Sequence, residues 1–258
     1  MILQLENIGF SYDNRENIFS NISFDIEQGE IMSILGPNGS GKSTLLNCIA
    51  NLYSVTEGEI KLEGEPISSI SMNDFAKKIG YVPQTHTPAY SYMVRDFVVM
   101  GRSPYIGMFS KPSKQDYTIT DEALNMLNIG HLSERPYTDI SGGERQQVII
   151  ARAIAQQPKI ILMDEPTSHL DYGNQIRTIK LIKDLARKGY SIIITTHMPD
   201  HVTLLGGKAG IFNKKGHMVV GPSSEIMSES TLSNIYNIDL RMIYIEEVGR
   251  TTCIASNV

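Results

Sequence analysis

Nine residues near the start, Gly36-Pro37-Asn38-Gly39-Ser40-Gly41-Lys42-Ser43-Thr44, constrain this chain more than any other stretch. They match G-x-x-x-x-G-K-[ST], a loop that wraps phosphate groups. Gly36, Gly39 and Gly41 have no Cβ, so the backbone can turn tightly and aim several N–H groups at phosphate oxygens. Lys42 adds positive charge for the β and γ phosphates of a nucleotide, and the Ser43 hydroxyl is placed to hold Mg²⁺. The context agrees with the motif. Ile31-Met32-Ser33-Ile34-Leu35 reads as a buried strand before the loop, and Thr44–Ala50 as an apolar helix after it. The unpaired N–H groups and dipole of that helix would point at the anion.

At 258 residues the chain is long enough to bury a substantial core as one large domain or two small ones. The formal net charge of -5 argues against nucleic acid as the main partner. Cys48 and Cys253 make no metal or disulfide pattern; Cys48 reads as core, and the pair suits a reducing cytosol. The first residues, Met1–Glu6, show no basic segment followed by an apolar one, so no signal peptide is expected. No run approaches the roughly 20 apolar residues that span a bilayer, so any work at a membrane would go through docking to another chain.

The segments before the loop read as short strands, Leu3–Ile8 and Ile22–Ile26, joined past a turn at Asp13-Asn14-Arg15. Tyr12 in that turn reads either as local packing or as an aromatic for an adenine ring. After the loop and its helix, Gly58–Gly64 predicts a hairpin strand, and Lys78–Gln84 another strand ending at Gln84. Residues 85–140 change character. Prolines 88, 104, 112 and 136 punctuate short helices, including one over Thr120–Asn128, in what looks like an inserted helical subdomain. Met93, Met100 and Met108 in it read as gap-filling core ahead of an adaptable docking surface.

Ser141-Gly142-Gly143-Glu144 then opens a helix with a capping box, serine and glutamate each satisfying an orphan N–H. That helix is expected to stop before Pro158. Capping does not explain Gly142-Gly143, each costing up to about 1 kcal/mol relative to alanine. The pair suggests that another molecule approaches this backbone closely. Ile160-Ile161-Leu162-Met163-Asp164-Glu165 is a strand of the kind buried on both faces, ending in two carboxylates. Ligands of open α/β sheets sit at the carboxyl ends of strands. Asp164 therefore suits an outer-sphere Mg²⁺ ligand, and Glu165 the base that orients an attacking water. Ser191–His197 repeats the pattern, a buried strand ending in His197, which reads either as an ordinary loop histidine or as one that reaches a γ-phosphate. His86, His131, His169, His201 and His217 form no ligand-spaced cluster, so Mg²⁺ is the only metal expected. Residues 207–221 read as strands around Lys214-Lys215-Gly216 and Ser223–Asp239 as a polar helical segment; the last twenty or so residues say little.

The phosphate loop, the Ser141–Glu144 helix start and the Asp164-Glu165 strand, in this order, resemble the ATP-binding subunits of ABC transporters over about residues 3–240. The resemblance implies an α/β fold. Its P-loop NTPase core has a mainly parallel sheet flanked by helices, an N-terminal antiparallel β subdomain and an inserted helical subdomain at about 85–157. The ATP-binding domain would be 1–240, with 241–258 as a C-terminal tail. Position by position, the resemblance makes Tyr12 the adenine-stacking aromatic, Gln84 the Mg²⁺- and water-sensing glutamine, and His197 the switch histidine. Ser141-Gly142-Gly143-Glu144-Arg145-Gln146 becomes the signature that contacts the γ-phosphate bound by the opposite subunit, and Ser168-His169-Leu170-Asp171 the loop that couples the two sites. Ile140, His169 and Met198 stand where leucine, alanine and aspartate are commoner; none is a reacting group.

Met100–Tyr105 and Thr167–Gln175 look like those of importers of iron-siderophore, haem and vitamin B12, with molybdate-type relatives. The family implies ATP and Mg²⁺ as cofactors and a head-to-tail homodimer sandwiching two ATP. It also implies two copies of a multi-span permease, an extracytoplasmic substrate-binding protein, and a peripheral place on the cytoplasmic face of the membrane. A soluble ABC ATPase acting on ribosomes or DNA is the alternative class. A single cassette without heptads and an acidic charge speak against it.

Overall fold

A computed structural model describes residues 1–13, 16–85 and 90–256. Asn14 and Arg15 of the expected first turn, His86 and Pro88 lie outside the described residues. Two compact units emerge, one formed by residues 1–69 with 182–258 and the other by 70–181.

The first unit begins with β1 (Leu3–Phe10), β2 (Phe19–Ile26), β3 (Ile31–Leu35), α1 (Lys42–Ile49), β4 (Glu57–Leu62) and β5 (Glu65–Pro66). The second holds α2 (Met72–Lys78), β6 (Ile79–Val82), α3 (Val94–Val99), α4 (Lys114–Met126), α5 (Gly142–Ala155) and β7 (Ile160–Met163). Helix α6 (Tyr172–Arg187) leads out of it. The chain then adds β8 (Ser191–Thr196), α7 (Pro199–Leu205), β9 (Lys208–Phe212), β10 (Met218–Pro222), α8 (Ser223–Ile226), α9 (Glu229–Tyr236), β11 (Leu240–Ile245) and β12 (Arg250–Ala255) to the first unit.

In the first unit β2, β1, β4 and β5 form an antiparallel sheet. Beside it, β3 pairs in parallel with both β8 and β9, and β10 closes onto β9 antiparallel. Every residue of β3 and β8 is buried, as expected of parallel strands covered on both faces. Phe19 and Phe212, ring centroids 6.2 Å apart, join the antiparallel sheet to the mixed one. The last residues, uninformative in the sequence, pair as a β11–β12 hairpin with Leu240 opposite Ala255 and Ile245 opposite Arg250.

The second unit pairs β6 with β7 in parallel, Val82 opposite Met163. Helices α3 and α4 both pack on α5. Phe97 of α3 stacks on the fully buried Tyr137 at 4.4 Å between centroids, and burial pushes the Tyr137 hydroxyl up to about 12. Because α3 turns Val94, Phe97, Val98 and Val99 inward, the methionines at its two ends face out. Met93, Met100 and Met108 are 44%, 40% and 92% exposed, which overturns their reading as core.

Arg102, in the 3-10 turn Met100–Tyr105 that follows α3, is buried. Its Nε donates to Asp116 Oδ1 at 3.1 Å, its Nη1 to the Ala155 carbonyl at 2.9 Å and to Gln157 Oε1 at 3.0 Å. The guanidinium also lies 3.9 Å from the Tyr105 ring centroid. Asp116 caps α4 together with Ser113, whose hydroxyl and amide, followed by Arg102, hold its carboxyl below the usual range. A Cβ on Gly101 would meet the Arg152 carbonyl, so glycine lets this turn lie against α5. The stretch that marked the importer resemblance is therefore the rivet of the helical unit. Removing Arg102 would leave a buried carboxylate without its cation, so Arg102→Ala should lower the unfolding free energy in urea titration by about 3–5 kcal/mol. Arg102→Lys should recover little of it, because an ammonium cannot reproduce the planar three-acceptor contact.

Candidate functional site

The phosphate loop leaves the buried end of β3 and enters α1 through Gly41, whose φ of +99° is a left-handed value that suits glycine. No side chain caps α1, and its first turn carries no acidic residue, so its leading amides and dipole face the loop. Lys42 is buried, and its Nζ donates to the Gly36 carbonyl at 2.8 Å and to the Pro37 carbonyl at 3.1 Å. The ammonium is thus held across the loop rather than extended into solvent. Gly36 is buried and Asn38 and Gly39 are exposed, while Ser43 and Thr44 lie partly buried in the first turn of α1. Ser40 Oγ is buried with no hydrogen-bond partner. An orphaned hydroxyl beside a fixed ammonium and uncapped helix amides fits a phosphate oxygen. Tyr12, 63% exposed, touches this helix through its hydroxyl, 3.0 Å from Thr44 Oγ1, and its ring lies edge-on to Phe10 and Tyr53.

In the same unit His197 follows β8, partly buried, and its carbonyl accepts a 2.8 Å hydrogen bond from Tyr236 Oη. His201, four residues on, is buried with Nδ1 3.3 Å from Thr196 Oγ1. Burial first, and His197 second, lower its pKa, so His201 serves as a neutral packed imidazole.

In the other unit, the parallel register of β6 and β7 releases Pro83-Gln84 and Asp164-Glu165 from the same end. The Asp164 amide extends the ladder by donating to the Val82 carbonyl at 2.9 Å. Glu165 is buried at a φ of +41°, a left-handed value unusual for its type, and its carbonyl closes a turn by accepting from the Ser168 amide and hydroxyl. Gln84, exposed and two residues past β6, donates from Nε2 to Glu165 Oε2 at 3.3 Å. Two residues proposed from separate stretches thus meet. Two buried carboxylates in succession also make an oxygen-rich strand end, the donor type that Mg²⁺ takes.

The Ser141–Glu144 capping box forms as expected: the Glu144 carboxylate accepts from the Ser141 amide at 2.8 Å and its hydroxyl at 2.7 Å. Its two glycines have different reasons. A Cβ on Gly142 would meet nothing within 4 Å, so space is open to an incoming group. A Cβ on Gly143 would come within 2.6 Å of the Asn174 amide, so this glycine answers a neighbour in the same unit. Asn174 is fixed by Asp171, which accepts from its amide N–H at 2.9 Å and from its side chain at 2.6 Å, and by Arg177 at 2.7 Å. The Asn174 backbone bond, then its side-chain bond, holds the exposed Asp171 carboxyl below the usual range. The signature and the Asp171 loop are therefore packed together, a contact the sequence did not announce. Just inside α5, Arg145 Nε and Gln146 Nε2 are buried without hydrogen-bond partners.

The phosphate loop, with its buried lysine and uncapped helix, defines a P-loop nucleotide-binding protein. The chain belongs to the ABC transporter family, which matches it over residues 19–168. It is similar to the molybdate import ATP-binding protein MolC of Haemophilus influenzae, 37% identical over 92% of this chain and 89% of that one. It is similar also to the iron(3+)-hydroxamate import ATP-binding protein FhuC of Bacillus subtilis, 31% identical over 98% of this chain and 94% of that one. Among solved structures, a chain described as an inward-facing metal-chelate type ABC transporter superposes with a TM-score of 0.88 at 35% identity, covering 98% of this chain and 96% of that one. The protein is an ABC-type ATPase, the ATP-binding subunit of an importer. No described helix is long and apolar enough to cross a membrane.

The capping box supplies a pH test. Hydrogen bonds from the Ser141 hydroxyl, then its amide, depress the Glu144 pKa, so this stabilisation is complete above the ordinary glutamate range and lost as pH falls through the depressed value. Ser141→Ala should cost about 1 kcal/mol at neutral pH. In urea unfolding the cost should shrink below about pH 4, where the carboxylate arm is lost from the wild type too.

Proposed function

We propose that this subunit couples ATP hydrolysis to uptake of a metal chelate, such as an iron-siderophore, haem or cobalamin, through a separate membrane permease. For the substrate class, the supporting observation is the likeness over nearly the whole chain to a metal-chelate type transporter subunit. For hydrolysis, it is the buried Glu165 carboxylate with Gln84 bonded to it. In this reading Gly36–Thr44 hold the ATP phosphates, Lys42 neutralising β and γ oxygens, and Tyr12 stacks on the adenine. Ser43 and Gln84 are Mg²⁺ ligands, with Asp164 supporting the ion from its outer sphere; the ion supplies charge neutralisation at the phosphates when bound. Glu165 takes a proton from the attacking water, Gln84 senses that water, and His197 reaches the γ-phosphate. Ser141–Glu144 and Asp171 serve the ATP of a second copy in a head-to-tail homodimer, the open face at Gly142 being the supporting observation. Residues 1–240 form the ATP-binding domain, with a helical part at about 85–157, and 241–258 the C-terminal segment.

Glu165→Gln keeps the hydrogen bond with Gln84 but removes the base. It should bind ATP normally and hydrolyse it about 10²–10⁴-fold more slowly, equivalent to roughly 3–5 kcal/mol of barrier. Single-turnover hydrolysis beside equilibrium nucleotide binding measures both, and a rate within threefold of wild type removes Glu165 from the mechanism.

The permease would dock on exposed apolar side chains of the helical unit, Tyr90, Tyr92, Met93, Met100, Met108 and Phe109, more of them than an isolated surface needs. The protein would then lie peripherally on the cytoplasmic face of the membrane, with a substrate-binding protein acting from outside. Single cysteines at Met108 and Phe109, 92% and 98% exposed, in a Cys48→Ser, Cys253→Ser background should crosslink to the co-expressed permease in membranes in a nucleotide-dependent way. A chain that never crosslinks and stays out of the membrane fraction rules out the importer assembly. The likeness to MolC favours a second substrate reading, an oxyanion such as molybdate. Stimulation of ATPase activity in the assembled complex by a loaded binding protein, chelate against molybdate, separates the two.

A further inference from the structure

The segment after β8 is held at both ends by the C-terminal residues. At His197 the hold is the 2.8 Å bond from Tyr236 Oη, the last residue of α9, to the histidine carbonyl. At Asp200, in the first turn of α7, one carboxylate oxygen accepts from the Cys253 amide at 2.8 Å and from Thr252 Oγ1 at 3.1 Å, both on β12. The gripping element is itself cross-tied. Glu229 of α9 accepts from the Met242 amide at 2.9 Å, and the Leu240 amide donates to Ser233 Oγ at 2.9 Å, tying the hairpin to the helix. Beneath these bonds lies one apolar cluster that includes Leu35, Val202, Ile211, Leu232 and Leu240, with Tyr236 and Cys253 packed on it. Leu35 immediately precedes Gly36, so the same cluster supports the base of the phosphate loop. No residue of α9, β11 or β12 belongs to the nucleotide machinery described above, yet they fix the backbone that presents His197.

We infer that Tyr236 is a positioning residue for ATP hydrolysis. Residues 229–255 act as a clamp that sets the backbone of the 197–200 segment, and so the aim of the His197 ring, without touching nucleotide. The inference rests on the reading of His197 as the residue that reaches the γ-phosphate. Misaimed groups cost rate rather than ground-state binding when they act chiefly in the transition state.

The test uses the full chain. Tyr236→Phe keeps the ring in the apolar cluster and deletes only the donor. It should lower kcat about tenfold while KM for ATP, equilibrium binding of an ATP analogue and Tm stay at wild-type values. Asp200→Ala should lower kcat likewise, and Asp200→Asn, which retains an acceptor oxygen, should recover most of the loss. A Tyr236→Phe rate equal to wild type overturns the inference, as does a loss that appears in KM or Tm instead of kcat. His197→Ala, assayed in parallel, tells the two readings apart. If it abolishes hydrolysis while Tyr236→Phe is unimpaired, the clamp fails and the histidine's role stands. If His197→Ala hydrolyses ATP at the wild-type rate, the histidine reading fails and the clamp has nothing to aim.

Discussion

A parallel strand covered on both faces carries no charged side chain along its length, so its chemistry is displaced to its carboxyl end. This constraint governs β3, β7 and β8, whose residues are all buried. Each strand is followed at once by reactive residues: the glycine-rich loop and Lys42 after β3, Asp164-Glu165 after β7, and His197 after β8. Within the strands the backbone groups are paired in ladders, and beyond the last ladder bond they turn away to serve other partners. The left-handed φ of Glu165 marks one of these departures, after β7, whereas that of Gly41 marks the entry into α1.

The helical unit solves a different problem. Its helices are short, and short helices gain most of their stability from packing and end-capping rather than from propensity. Ser113 and Ser141 cap α4 and α5 with reciprocal boxes, and the buried Arg102 ties the turn after α3 to both helices. With the inward face of α3 filled by valines and phenylalanine, its flanking methionines and the tyrosines before it remain outside. The exposed apolar side chains thus result from how the unit holds itself together.

The glycine pair at the start of α5 shows how local arithmetic divides once neighbours are known. Propensity charges both residues the same cost. The fold assigns Gly143 to Asn174, whose amide is locked by Asp171 and Arg177, and leaves Gly142 facing open space. Only one of the two therefore still calls for an external molecule. Tyr12 is comparable: its exposed ring suits a base, yet its hydroxyl already meets Thr44 in the first turn of α1.

The sequence by itself determined the phosphate loop, the capping box, the hydrophobic strands and the reactive residues at their carboxyl ends. All are written in contiguous residues whose types answer to backbone geometry, burial or charge over a few positions. The family resemblance extended this to Gln84 and Asp171, which carry weak local signals. Only the tertiary structure decided the rest. It set Gln84 against Glu165, 81 positions apart, and Arg102 against Ala155 and Gln157, more than fifty positions apart. It also turned Met93, Met100 and Met108 outward and brought Tyr236 to the carbonyl of His197, 39 positions away. A single polar residue on a helix or at a strand end has no periodic signature to reveal its partner. The partner is chosen by how strands pair and helices pack, and that choice is made by the whole core at once.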